Sequence, residues 1–180
     1  MMSQESKKLN LGCGRDTRPP ELGWVNLDAV DLPGVDVVYD INLPEWTVFE
    51  DNSFDYVEAN MVLEHLDDWV KAMGEIWRIC KPGAEIFIAV PFFPSVYSCI
   101  DPTHKSFFTY YTFEYFETEH KYKYYMNAQF SIKRRYIRFS WNKILNIFAI
   151  PINLFPRVYS RFFAFIFPSN SLEVVLKVAK

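Results

Sequence analysis

The chain has 180 residues, half of them apolar, which is enough to bury the core of one globular domain and excludes a disordered chain. The formal net charge of −3 conceals an asymmetry: residues 1–119 hold 8 basic and 21 acidic side chains, whereas residues 120–172 hold 9 basic and no acidic ones. Three widely spaced cysteines and a polar start argue against disulfides, a zinc site and a signal peptide. We therefore expect a single domain, residues 1–180, in the cytoplasm. Its two oppositely charged parts either attract each other or present a basic face to an anionic partner.

The first predicted strand covers residues 8–12 and leads into the tight turn Gly12-Cys13-Gly14. Glycine permits a left-handed backbone and lets a ligand come close to the main chain. In α/β folds this place is the crevice at the carboxyl ends of parallel strands, where nucleotide-like ligands bind. The third glycine of the dinucleotide fingerprint is missing, because Thr17 stands in its place. A nicotinamide-dependent enzyme is therefore a low-ranking interpretation.

Four further strands are predicted in the first half, at residues 24–28, 35–40, 53–60 and 84–90. The link between the first two strands contains Pro19, Pro20 and Gly23, so its crossover helix is expected to be short or absent. A helical period predicts one amphipathic helix from an N-cap at Asp67 or Asp68 to a terminator at residues 81–83. The residues expected on its buried face are Trp69, Val70, Met73, Ile76, Trp77 and Cys80. This alternation indicates an α/β fold with a Rossmann-like, mostly parallel sheet.

The second half is dominated by an aromatic segment. Residues 92–108 are predicted to form a loop, followed by a helix at 110–116 and strands at 129–140 and 172–178. Between those strands, residues 141–168 are strongly apolar, but prolines and Lys143, Arg157 and Arg161 interrupt them, so no stretch reaches the roughly 18 apolar residues of a membrane span. Two interpretations stay open: packing as core and lid, or a peripheral membrane face of aromatic rings and basic groups.

Polar side chains at predicted strand ends indicate the ligand. Asp28, Asp40 and Asn60 each end a strand, and a carboxylate can accept hydrogen bonds from both ribose hydroxyls or from an adenine amino group. Carboxylates are poor neighbours for a phosphate, and only Arg15 and Arg18 stand near the first turn. A cationic nucleoside without phosphate, such as S-adenosylmethionine (SAM), therefore fits better than NAD.

Several segments together resemble the class I SAM-dependent methyltransferases, and most closely their small bacterial type-11-like members, which are often associated with surface-polysaccharide and glycolipid pathways. The resemblance covers roughly residues 8–92 and extends to a segment at 101–109. The segments that carry it are LNLGCG at 9–14, GWVNLD at 23–28, VDVVYD at 35–40, FDYVEANMVLEHL at 54–66 and KPG at 81–83. It implies a Rossmann-like sheet of the class I methyltransferase type, with an antiparallel C-terminal strand and a reduced first crossover helix.

The resemblance also implies different roles for three parts of the chain. Residues 8–92 would bind the cofactor, residues 93–171 would form the acceptor and lid region, and residues 172–180 would be the final strand. The turn at residues 12–14 would pass under the methionine part of SAM, Asp28 would hold the ribose, and Asn60 and Met61 would line the methyl-donor side. The full set of implied cofactor-binding residues is Leu11, Gly12, Cys13, Gly14, Asp28, Ala29, Asp40, Ile41, Asn60 and Met61.

Catalytic residues are sought among the histidines, because a hydroxyl acceptor needs a base. His65 and His104 are the candidates, with Asp101 as the carboxylate that could orient an imidazole; a structural hydrogen bond is the alternative for His65. Some related quinone-biosynthesis methyltransferases use an acid at the position of Met61, with the Glu-His pair, to hold a metal. Since a methionine is not a hard-metal ligand, we predict no metal site.

The leading hypothesis is SAM-dependent methyl transfer to a small-molecule, saccharide or glycolipid acceptor. The alternative is a SAM-binding, non-catalytic partner or a peripheral membrane-associated subunit, with lipid contact through residues 133–167 and a dependence on Arg134, Arg135 and Arg138. Nucleic acid is disfavoured as a partner, because the acidic first half would repel a phosphate backbone. The expected location is the cytoplasm, and contact with the inner membrane surface is left open.

Overall fold

A seven-stranded mixed sheet forms the centre of the computed structural model, which describes residues 6–121 and 127–180. The strand order is β3-β2-β1-β4-β5-β7-β6. Neighbours from β3 to β5 run parallel, whereas β7 runs antiparallel to both β5 and β6. The strands are β1 (Lys8–Leu11), β2 (Trp24–Asp28), β3 (Val37–Val38), β4 (Phe54–Asn60), β5 (Cys80–Pro91), β6 (Phe130–Arg138) and β7 (Ser171–Val178). The predicted α/β fold with an antiparallel C-terminal strand is confirmed.

Helices are few and short among the described residues. The α-helices are α1 (Trp69–Ile79), α2 (Ala149–Leu154) and α3 (Pro156–Val158). Between β1 and β2 the chain forms only the 3₁₀ turn Pro20–Leu22, as expected from its prolines. Other single turns of helix lie at Leu63–His65, Val96–Ser98, Thr112–Phe116, Leu145–Phe148 and Tyr159–Phe163.

Helix α1 begins as predicted and ends earlier. Asp68 is its N-cap, and its side chain accepts a hydrogen bond from the Lys71 N–H. Its buried residues are Ala72, Met73, Ile76 and Ile79, while Val70 is 37 % exposed, so placing Val70 on the buried face was wrong. Cys80 was also assigned wrongly to the helix, because its backbone is extended and pairs with Phe54 of β4. The expected terminator at residues 81–83 therefore lies within β5.

The third strand is much shorter than predicted. Of residues 35–40 only Val37 and Val38 pair with β2. The carboxylate of Asp36 instead accepts hydrogen bonds from the backbone and side-chain amides of Asn26. The N–H of Asp36 also donates to the Asn26 carbonyl at 2.8 Å, so the side-chain contacts add to the pairing at this edge of the sheet.

Residues 139–170 form a segment that we call the cap, which leaves most of its apolar side chains in solvent. Asn153 anchors it, because its side chain bonds both the N–H and the C=O of Ile137 in β6. The interpretation as core packing is wrong for most of the cap, where only Ala149, Ile152, Tyr159 and Ala164 are buried hydrophobic residues. The exposed apolar side chains are Trp141, Ile144, Leu145, Ile147, Phe148, Ile150, Leu154, Phe155, Val158, Phe162, Phe163, Phe165, Ile166 and Phe167. Among the described residues, no helix has the length and apolarity needed to span a bilayer.

Candidate functional site

A cavity of about 300 Å³ opens at the carboxyl ends of β1, β2 and β4. Its walls are formed by Gly12, Leu27, Asp28, Ala29, Asp40, Ile41, Asn42, Met61, Val62, His65 and Leu66. Six of the ten residues predicted to bind the cofactor line it, although they come from four separate stretches of sequence. The other four do not form its walls: Leu11 is buried in β1, Cys13 and Gly14 continue the turn, and Asn60 ends β4. We call this cavity the cofactor cleft.

The glycine turn has one position that tolerates no side chain. Gly12 has φ +63°, and a Cβ there would lie 2.6 Å from Cγ2 of Val62. Gly14 has φ +51°, but nothing lies within 4 Å of the place where its Cβ would be. Both residues need a left-handed backbone, and only Gly12 is also required by close packing beneath the cleft.

Asp28 connects the end of β2 to the glycine turn. One of its carboxylate oxygens accepts the N–H of Gly14 at 2.7 Å, and the other accepts the N–H of Val30 at 3.0 Å. Each oxygen keeps a further lone pair for a ligand hydroxyl, since a carboxylate has about four acceptor positions. Asp28 therefore both shapes the turn and presents acceptors at the cleft.

The opposite wall of the cleft is built by a polar turn after β3. Asp40 Oδ1 accepts hydrogen bonds from the backbone N–H and the side-chain amide of Asn42, and Asn42 Oδ1 in turn accepts the N–H of Asp67. The sequence predicted Asp40 and Ile41 here but missed Asn42. The sequence did contain a signal for Asn42. It stands two residues after Asp40, and an aspartate side chain commonly accepts the backbone N–H two residues later in an Asx turn. Met61 stands at φ +55°, an uncommon backbone for a residue with a side chain.

A cluster of Glu64, His65 and His104 adjoins the cleft through His65. One carboxylate oxygen and one nitrogen from each imidazole all lie within 4.8 Å of one another, and the two rings meet edge to face at 4.7 Å. Glu64 is 1 % exposed, and neither of its carboxylate oxygens has a hydrogen-bond partner among the described residues. Burial raises the pKa of Glu64 to about 7, and burial together with the neighbouring His104 lowers the pKa of His65.

Asp101 acts on the cluster differently from the expectation for an Asp-His pair. Its Oδ1 accepts both the backbone N–H and the hydroxyl of Thr103, and Thr103 Oγ1 lies 2.9 Å from Nδ1 of His65. Nδ1 of His104 lies 3.3 Å from the Ser98 carbonyl oxygen. Asp101 therefore orients His65 through Thr103, whereas a backbone carbonyl orients His104. The catalytic roles of these residues stay predictions.

An apolar groove of about 660 Å³ lies in the cap. Its walls are Phe139, Phe148, Pro151, Ile152, Phe155, Val158, Tyr159, Phe163 and Phe167. The loop that carries His104 touches the cap, because the Phe93 ring contacts both Phe107 and Phe165. Aromatic contacts thus connect the histidine cluster to the surface that contains the groove.

Comparison with known proteins agrees with this geometry. Residues 9–88 match the family model described as "Methyltransferase domain". The demethylmenaquinone methyltransferase of Staphylococcus epidermidis is 36 % identical over 64 residues, which are 32 % of this chain and 25 % of that protein. The chain therefore aligns with only about a quarter of the length of this curated relative.

Solved structures share the fold over nearly the whole chain. A SAM-dependent methyltransferase from Archaeoglobus fulgidus aligns with 97 % of this chain and 86 % of its own, at a TM-score of 0.63 and 17 % identity. A SAM-dependent methyltransferase from Mesorhizobium loti aligns with 98 % and 93 %, at 0.59 and 12 % identity. At such low identity these likenesses show the fold.

Proposed function

We propose that the chain is a class I SAM-dependent methyltransferase like those of the type-11 family, and that it transfers the methyl group of SAM to a small acceptor carried on a lipid or another apolar tail. The observation that carries the proposal is the cofactor cleft. It gathers a close-packed glycine, two strand-end carboxylates and the apolar Ile41 and Met61 at one edge of the sheet. Such a wall suits a cationic nucleoside and an amino-acid tail better than a pyrophosphate.

The proposed reaction is an in-line displacement. A lone pair of the acceptor attacks the methyl carbon, and the carbon–sulfur bond breaks with its electron pair left on sulfur. The sulfonium becomes the neutral thioether S-adenosylhomocysteine (SAH), and a hydroxyl acceptor loses its proton. The protein supplies approach geometry and exclusion of water. His65 and His104 are the proposed bases, because their neutral rings each carry a free lone pair.

The acceptor is proposed from the cap. Its groove is lined almost entirely by apolar side chains, and the loop carrying His104 contacts the same surface through Phe93. A groove of this size suits a lipid or prenyl tail, while the polar head would reach the cleft. Glycolipids fit this description, and so does the kind of acceptor in the name of the Staphylococcus epidermidis relative, demethylmenaquinone.

Turnover tests the proposal. SAH release is measured with a short-chain glycolipid, with demethylmenaquinone, and with the free saccharide as the tail-less comparison. We expect release with at least one tailed acceptor and a KM for the free saccharide higher by about 100-fold, the equivalent of about 3 kcal/mol of tail burial. SAH binding without release on any of these acceptors would contradict methyl transfer to a tailed acceptor.

A second function is favoured by the exposed apolar face of the cap: a SAM-binding peripheral membrane subunit. Apolar rings next to basic groups suit an anionic bilayer surface, and residues 120–172 contain no acid. Of the three arginines predicted to make this contact, Arg135 and Arg138 pair with Glu114 and Glu173, whereas Arg134 is exposed. The exposed Lys143 and Arg161 are further candidates. Flotation on vesicles of phosphatidylglycerol and phosphatidylethanolamine tests this, and equal flotation on neutral phosphatidylcholine vesicles would contradict it.

A further inference from the structure

We propose that Glu64, His65 and His104 form a binding site for one divalent transition-metal ion or zinc, beside the cofactor cleft. The three side chains offer one oxygen and two nitrogens within 4.8 Å of one another. Two of them are neighbours in the turn at Leu63–His65, whereas His104 comes from the loop after β5. This set of ligands differs from the set considered in the sequence analysis. There the third ligand would have been an acid at position 61, where this chain has a methionine.

Glu64 provides the first independent reason. Its side chain is 99 % removed from solvent, and both carboxylate oxygens lack a hydrogen-bond partner among the residues described. A buried carboxylate without a partner is costly, and proteins usually pair such a group with a cation or a metal. No lysine or arginine pairs with it among the described ion pairs. A metal ion would satisfy the carboxylate.

The backbone fixes His104 next to Glu64. The carbonyl oxygen of Glu64 accepts the N–H of Lys105 at 2.7 Å and that of Ser106 at 3.3 Å. These two hydrogen bonds tie the loop that carries His104 to the turn that carries the other two ligands. The site is therefore held by main-chain contacts and does not depend on one flexible side chain.

The hydrogen bonds of the two imidazoles give both rings the same tautomer. The Ser98 carbonyl can only accept, so Nδ1 of His104 carries the proton. The Thr103 hydroxyl donates to Asp101, so it accepts from Nδ1 of His65. In both neutral rings the free lone pair then lies on Nε2. Metal-binding histidines almost always have this arrangement, in which the second ring nitrogen donates to a carbonyl or another oxygen.

The ligand types select the class of metal. Two imidazoles and one carboxylate suit Zn²⁺, Co²⁺, Fe²⁺ or Mn²⁺, whereas Mg²⁺ and Ca²⁺ prefer oxygen ligands. Three protein ligands leave a position for water or substrate. Because His65 is also a wall of the cofactor cleft, an acceptor oxygen bound to that metal would lie close to the methyl donor. The metal would lower the pKa of a bound hydroxyl, and in the loaded protein neither imidazole would serve as the base, because each Nε2 lone pair would be used.

Metal binding to the untagged, EDTA-stripped full chain tests the proposal. ZnCl2 is titrated calorimetrically, and CoCl2 is added to a second sample to record the visible absorption of bound Co²⁺. We expect one ion per chain, with an affinity that falls by about 100-fold or more in His65→Ala and in His104→Ala. His120→Ala is the matched control, because it removes the third histidine of the chain, and its affinity should stay within about threefold of the wild type.

Glu64→Gln keeps the test decisive if an alanine variant fails to fold. It preserves the shape of the side chain, so the metal-free variant should unfold at or above the wild-type temperature, because it removes an unpaired buried carboxyl group. Added ZnCl2 should raise the unfolding temperature of the wild type and not that of Glu64→Gln. The proposal is overturned if the wild type binds no ion, or if His104→Ala and Glu64→Gln bind Zn²⁺ as well as the wild type does.

Discussion

The cofactor cleft and the cap differ in where they put their apolar side chains. Under the cleft, Leu9, Leu11 and Val57 are buried in the sheet, and the walls of the cleft combine polar and apolar side chains. In the cap, fourteen large apolar side chains face solvent, and the nearby charges are basic. An exposed apolar area of this extent is unusual in a soluble monomer and marks an interaction surface. The contrast is therefore between a sheet that buries its apolar side chains, with β7 from the second half paired to β5, and a cap that leaves them in solvent.

The largest effect is expected from removing apolar side chains of the groove. Phe155, Phe163 and Phe167 line it and are exposed. Replacing all three with serine should weaken binding to anionic vesicles by about 1,000-fold, which is about tenfold for each aromatic side chain. Co-sedimentation over a range of lipid concentrations measures this.

The matched control for that experiment lies in the other half. Leu22, Val30 and Leu43 are also exposed, and their triple serine variant should bind vesicles like the wild type. If both triple variants lose binding equally, the cap is not a special surface, and the comparison between the two halves fails.

Next in size is the effect of the close-packed glycine. Gly12→Ala should lower the free energy of unfolding by about 1–3 kcal/mol more than Gly14→Ala, because both substitutions strain a left-handed backbone but only the first collides with Val62. Urea unfolding monitored by circular dichroism gives both values. A larger loss in Gly14→Ala would mean that the turn is not packed against Val62.

A smaller effect is expected from the basic groups of the cap. Lys143→Gln together with Arg161→Gln should weaken binding to anionic vesicles by about 10- to 30-fold at low salt, from about 1 kcal/mol per charge. At high salt the difference should shrink, because exposed charges are screened. The paired Arg138 offers a contrast: Arg138→Gln breaks its ion pair with Glu173 and should affect stability more than vesicle binding. An unchanged difference at high salt would contradict an electrostatic contribution.

The smallest expected effect concerns an internal ion pair of the acidic half. Burial alone would raise the pKa of Glu75, but hydrogen bonds from Arg78 and from the Trp46 N–H outweigh it and hold the pKa below its ordinary value. The ionised Glu75 therefore stabilises the folded state at pH values above about 4.3, the pKa of a glutamate in an unfolded chain. This contribution is lost as the pH falls through the lower pKa of Glu75 in the folded protein.

Stability measured against pH checks this. The wild type should exceed Glu75→Gln in unfolding free energy at pH 7, and the gap should close below about pH 4. Asp51→Asn is the control, because Asp51 meets the same arginine from an exposed position and should contribute little. If the difference in unfolding free energy between the wild type and Glu75→Gln grows as the pH falls, the pKa of Glu75 is not lowered by folding, and the proposed stabilisation by Arg78 is contradicted.

Local patterns in the sequence were sufficient for the sheet and for much of the cleft. Strand β2 lies at the predicted residues 24–28, and Asp28 and Asp40 share one cavity because parallel strands end at the same edge of the sheet. The helix boundary at Cys80 could not be read locally, because its extended backbone depends on pairing with Phe54, 26 residues earlier. Long-range pairing overrides local propensity in such places.

The histidine cluster and the cap show what sequence reasoning could not reach. His65 and His104 were both singled out, but nothing local indicates that a loop 39 residues later returns to Glu64. In the cap, apolar residues occur on all sides of short helices interrupted by prolines, so no period separates a buried face from an exposed one. Tertiary packing alone decides that Tyr159 is buried while Phe162 is exposed.

Calorimetric titration of the wild type with SAH tests the central claim most directly, because it needs no knowledge of the acceptor. We predict one site per chain and a loss of about 100-fold in affinity for Asp28→Ala, from two lost hydrogen bonds to a charged group. Asp28→Asn keeps an acceptor for the glycine turn and controls for misfolding, and Asp31→Ala, outside the cleft, should bind like the wild type. Absence of SAH binding by the wild type, or undiminished binding by a folded Asp28→Ala, would contradict the account.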